Sequence, residues 1–166
     1  MFFNLNLLHL LLVLAAAVCV RMALREIRGR SMSPSRLAML PLVAVGMTFV
    51  FLLFFLSLQR PLWLFGAALL LGVAVGAARG VTMKLRFDHM WQLVRPSRHL
   101  VLLWVTLALA GAVALEMSGA VVGGSVGALV RLAAAEIAVL CTGALAGRAI
   151  AVAIRLAHVP HVALRR

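Results

Sequence analysis

Apolar residues fall in long runs separated by short polar stretches, and this pattern predicts helices. A helix that spans a bilayer needs about 20 mostly apolar residues. Five runs approach or exceed that length, at about 2–20, 37–58, 62–78, 100–115 and 128–154. Arg21, Arg25, Arg28 and Arg30 close the first, and Ser31, Ser33 and Pro34 follow. Pro41 falls in the first turn of the second run, where a missing N–H costs little. Gln59-Arg60-Pro61 makes a tight connection to the third. The fifth run is long, so its end leaves the hydrocarbon or the helix tilts.

The segment between the third and fourth runs has a different period. Val81, Met83, Leu85 and Phe87 alternate with Thr82, Lys84, Arg86 and Asp88, and Trp91 and Leu93 follow. A period of two predicts strand, and Asp88-His89 favours a turn. For Phe87 and Trp91 to share a face, the loop must hold an odd number of residues, such as Asp88-His89-Met90. One face of this hairpin would meet the membrane surface or the helix ends, and the other would hold Lys84 and Arg86 in water. An interfacial amphipathic helix is the alternative. A lone two-stranded hairpin is marginal and must dock on something. Trp91 and Trp104 suit interfacial anchoring.

Composition removes the soluble alternative. Apolar residues are 65% of 166 positions, charged residues 12%, and the mean hydropathy is +1.14. A small water-soluble domain exposes too much of its surface to hide that much apolar area. The expected fold class is an all-α integral membrane protein of five transmembrane helices, forming a single domain over 1–166. The start of the chain, Met1 to Asn6, has no positive charge and the arginines follow the apolar run, the reverse of a secretory signal. The first run is therefore read as an uncleaved span.

The net charge of +12 would point to nucleic acid on a soluble chain. Here the basic residues cluster between apolar runs, so topology and anionic lipid head groups account for them and no nucleic-acid partner is expected. Assigned to alternate sides, thirteen fall together: Arg21, Arg25, Arg28, Arg30, Arg36; Arg79, Lys84, Arg86, Arg95, Arg98; Arg155, Arg165, Arg166. The other side holds Arg60 and Arg131. This bias predicts an outside amino terminus, a cytoplasmic carboxyl terminus and an odd number of spans.

Ionisable groups inside a bilayer are costly and each needs a reason. Glu136 falls towards the middle of the fifth run, about 12 Å along a helix from Ala128. It is either a proton carrier or cation ligand, or a structural group: a partner for Arg131, or a neutral protonated acid hydrogen-bonded within the bundle. The five-residue separation of that pair is not the favoured three or four, and Glu116 can also reach Arg131 across the short loop. Arg148, about three turns beyond Glu136, can snorkel to cytoplasmic head groups. Small residues recur every fourth position at Ala68, Gly72, Gly76 and Gly80, and again at Gly143 and Gly147. In lipid this spacing lets helices approach closely, within a chain or between two.

Cys19 and Cys141 both lie in apolar runs and belong to no C-x-x-C pair, so they read as small hydrophobes. Two of His99, His158 and His161, which gather at one end, could hold a haem. Histidines at a membrane edge need no ligand, however, and no cofactor and no metal are expected. His9 lies apart, in the outer half of the first run. There is no P-loop, G-x-S-x-G or paired carboxylate, and four acids leave little for acid–base catalysis.

One stretch resembles a known family. Arg36-Leu37, Leu40-Pro41, Gly46 and Phe49 are followed by Gly76-Ala77-Ala78-Arg79. Then come Met83-Lys84-Leu85-Arg86-Phe87-Asp88, Trp91, Arg95 and Leu102-Leu103-Trp104. Over about residues 20–115 this resembles the CcdC-like membrane proteins of cytochrome c biogenesis. The resemblance implies a topology and a connection with cytochrome c maturation, and it brings no catalytic residues. Together these readings favour a non-enzymatic membrane protein that assists assembly of a membrane complex. The alternative is a small transporter or channel with Glu136 and Arg131 in its pathway.

Overall fold

The computed structural model describes residues 7–28, 33–55, 62–88, 93–96 and 100–158. Five helices appear in chain order: α1 (Leu7–Ile27), α2 (Pro34–Phe55), α3 (Leu62–Thr82), α4 (Val101–Val122) and α5 (Gly124–Leu156). Two short strands, β1 (Leu85–Asp88) and β2 (Leu93–Pro96), lie between α3 and α4. Helices are what such apolar runs must form, because a backbone surrounded by hydrocarbon has to satisfy its own N–H and C=O groups. The helices α1, α3, α4 and α5 are long and apolar enough to cross a membrane, and α2 carries a shorter apolar stretch, Leu37–Leu53. The chain is thus a mostly helical, membrane-spanning protein.

The central element is α5. Its 33 residues would extend about 50 Å, well beyond a hydrocarbon layer of about 30 Å. It packs on α3, on α4 and on α2, while α1 packs across α4 and α2. The α4–α5 turn is a single residue, Gly123, and both Gly123 and Gly124 take positive φ (65° and 63°). A side chain is strained there, so glycine is what lets two antiparallel helices join so abruptly. The Gly123 N–H caps α4 by donating to the Gly119 carbonyl at 3.1 Å.

Buried positions trace one stripe per helix. On α1 they are His9, Leu12, Ala16, Cys19, Ala23 and Glu26, spaced three and four apart. On α4 they include Leu102, Thr106, Leu109, Ala112, Val113, Glu116 and Gly119. Outward faces remain apolar, with Leu7, Leu42, Phe49, Leu70, Trp63 and Trp104 each more than half exposed. Apolar side chains outside and a polar pair on an inward stripe are the arrangement a hydrocarbon solvent favours.

The strands form an antiparallel hairpin pairing Leu85 with Pro96, Phe87 with Val94 and Asp88 with Leu93. Its register differs from the one expected from sequence. Val81 and Thr82 complete α3 instead of starting the strand, and Phe87 sits opposite Val94 rather than Trp91. Four residues separate the paired Asp88 and Leu93, and Asp88 is a buried strand residue instead of a turn residue. The alternation began one helical turn early because Val81 and Met83 also fit the end of α3. Lys84 and Arg86 are exposed, as expected. His89, Met90 and Trp91 lie outside the described residues, as do Gln59-Arg60-Pro61, Arg30, Arg98, Arg165 and Arg166.

A candidate ligand cavity and two ion pairs within the bundle

The glycine stripe of α3 meets α5 within this chain. A Cβ placed on Gly72 would collide with the Leu140 carbonyl, on Gly76 with the Ala144 carbonyl, and on Gly80 with Ala151 and Arg148. Reciprocally, Gly143 meets the backbone of Leu69 and Val73, and Gly147 that of Val73. These matches rise together along both helices, so α3 and α5 run parallel, backbone on backbone. Ala68, four residues before Gly72, falls at the height of Glu136, four before Leu140. The side chain of Glu136 is partly exposed there and makes no hydrogen bond or ion pair with a described residue.

Two ion pairs hold the bundle near its two ends. At the α4–α5 turn, Arg131 Nε donates to Glu116 Oε1 at 2.7 Å. Glu116 is fully buried, and its second oxygen has no hydrogen-bond partner among the described residues. The sequence offered Arg131 two partners, and the turn selects Glu116, because it brings the last turns of α4 beside the first turns of α5. At the other end, Arg148 of α5 pairs with Glu26 of α1. Both side chains are nearly buried, at 13% and 9% exposed. Arg148 Nε also points to Met83 Sδ at 3.3 Å. The snorkelling expected of Arg148 is therefore replaced by an inward pair, because α1 continues past Val20 and carries Glu26 to it. Arg155 donates from Nη1 to the carbonyls of Gly80 and Met83, each at 2.7 Å. It thereby satisfies carbonyls that the end of α3 leaves open.

Midway along α5, Thr142 and Thr48 of α2 share a hydroxyl hydrogen bond at 2.6 Å. The Thr142 hydroxyl lies 3.2 Å from the Ala44 carbonyl and the Thr48 hydroxyl 3.4 Å from that of Ala138. Buried hydroxyls without water need such acceptors, and here they tie α2 to α5.

Beside the Glu26–Arg148 pair lies a cavity of about 290 Å³. Val75, Arg79 and Thr82 come from α3, Val101, Leu102 and Val105 from α4, and Ala144 and Leu145 from α5. Its walls are apolar, and its polar groups are gathered at the basic end of the bundle. That distribution suits an amphipathic ligand. It offers no nucleophile with an adjacent base.

The remaining sequence candidates are dispersed. His158 is exposed after α5, its Nδ1 3.3 Å from the Ile154 carbonyl, and His99 and His161 lie outside the described residues. His9 is buried in α1. Cys19 and Cys141 are buried free thiols. Among the described residues no three His, Cys, Asp or Glu side chains cluster to hold a metal ion. Sequence reasoning missed Glu26, which it did not single out, and Arg155, which it counted only with the basic loops. The signal for Glu26 was present, since it continues the spacing of Leu12, Ala16, Cys19 and Ala23.

Comparison with family models, curated proteins and solved structures finds no match to this chain.

Proposed function

We propose that this is a non-enzymatic integral membrane protein that assists assembly of a membrane complex, with cytochrome c biogenesis as the process. One observation carries the reading: the acids Glu26 and Glu116 are each held by an arginine of α5, so charge inside the bundle serves to fix helices. Breaking a buried pair of this kind costs stability, so its presence needs no catalytic explanation. The link to cytochromes rests on the resemblance over about residues 20–115 to the CcdC-like proteins. The reading places the protein in a bacterial inner membrane, with its amino terminus outside and its basic loops against cytoplasmic anionic lipids.

Deleting the gene should remove haem-stained c-type cytochromes from the membrane fraction, and the tagged protein should co-purify with a membrane complex in gentle detergent. Unchanged haem staining in the deletion contradicts the cytochrome assignment. A second reading, a small transporter, is favoured by Glu136 alone, which has no ionic partner among the described residues. Arg131 is already held by Glu116, so the pathway would depend on Glu136. Glu136→Gln separates the two: it should rescue the deletion under the assembly reading and abolish flux in proteoliposomes under the transport reading.

A further inference from the structure

Both α3 and α4 pack on α5, and the cavity is the gap left between them at the basic end. Val75 on one wall is 54% exposed and Val101 on the other 39%, so the gap opens sideways between the helices. In a bilayer, what stands at such an opening is an acyl chain. The floor, Ala144 and Leu145, is apolar, and a chain entering there would meet no polar group until it reached the basic end.

The polar end carries a charge preference. Arg79 and Arg148 against Glu26 leave one net positive charge among the lining residues. Arg148 is committed to Glu26 and Met83, whereas Arg79 is exposed and forms no ion pair with a described residue. The first turn of α4, from Val101, lines the same cavity. The positive end of the α4 dipole adds to the attraction for an anion. The nearby acid, Glu26, is already engaged, so nothing in the lining would receive the ammonium group of a zwitterionic lipid.

We propose that this cavity holds one acyl chain of an anionic phospholipid, with the phosphate at Arg79 and the first turn of α4. A free fatty acid shares that chemistry. A phospholipid fits better because the gap is open to the lipid phase, so its second chain can lie outside along apolar surface such as Leu71 and Trp104, which are 58% and 68% exposed. The assignment stands apart from the assembly reading and survives its failure.

The test uses the full chain, purified in mild detergent, stripped of lipid and incubated with phosphatidylglycerol, phosphatidylcholine or oleate at equal concentration. Native mass spectrometry then counts the retained molecules. One phosphatidylglycerol should be retained, preferred by about five-fold over phosphatidylcholine, as one surface-near arginine supplies. Arg79→Gln, at an exposed position, should bring it down to the phosphatidylcholine level without changing the lipid-free melting temperature. Val101→Trp, which blocks the opening, should remove retention of both lipids. Equal retention of the two lipids by the unaltered protein overturns the proposal, and so does a phosphatidylglycerol preference that persists in Arg79→Gln or retention that survives Val101→Trp. Oleate displacing phosphatidylglycerol overturns the phospholipid assignment.

Discussion

One helix, α5, is held on its two sides by different physics. Towards α3 the contact is backbone on backbone, through Gly72, Gly76, Gly143 and Gly147, with no polar side chain at the glycine contacts. Towards α2 and α4 side chains add hydrogen bonds, through the Thr48–Thr142 hydroxyls and the Arg131–Glu116 pair, and backbone meets backbone at Gly119 and Gly127 beside the turn. Lipid chains are as apolar as leucine, so burying apolar surface does little to drive helices together in a bilayer. What remains is close approach or hydrogen bonding, and the α3 seam rests mainly on the first while the α2 and α4 contacts add the second. The close-approach side leaves no tolerance for volume. The side facing α2 and α4 depends in addition on its polar partners.

Substitutions should separate the two sides by size of effect. Gly76→Leu should be the most damaging, since its side chain would have to enter the Ala144 backbone. A loss of about 3 kcal/mol or more is expected for overpacking without room to relax. It should appear as loss of a monodisperse species in size-exclusion chromatography. Arg148→Met leaves Glu26 buried without its cation, and should lower stability by about 3 kcal/mol, read from thermal unfolding in detergent. Thr142→Val removes one interhelical hydroxyl, for about 0.6 kcal/mol and a shift of about 2 °C. Gly66→Ala sharpens the contrast from within α3 itself. A Cβ there meets nothing within 4 Å, so melting should stay unchanged or rise slightly through better helix propensity. If Gly66→Ala and Gly76→Leu were equally harmful, the seam would not be the source of the effect.

Much of this was legible in the sequence because hydrocarbon imposes a simple rule on the chain. The apolar runs located the helices, and the four-residue spacing from Gly72 to Gly80 marked a packing face. The hairpin was legible as an alternation, but its start was not. Val81 and Met83 satisfy both a strand and the last turn of a helix, and only the end of α3 decides between them. Glu26 was hidden for a related reason. Arg21 and Arg25 look like the end of a span, yet α1 continues through them to Ile27 with both exposed and Glu26 turned inward. Charge density alone read that turn as loop, whereas the buried stripe of α1 shows it to be helix. The cavity could not be read at all, because it depends on α3 and α4 both choosing α5 over each other.

The central claim is that charge within this bundle fixes helices rather than performing chemistry. A double-mutant cycle on Glu26 and Arg148, followed by thermal unfolding in detergent, tests it most directly. Glu26→Leu and Arg148→Met should each destabilise the protein, and the double variant should recover most of the loss, because a buried pair replaced by apolar residues is close to neutral. Additive losses in the double variant, with no recovery, would contradict the claim.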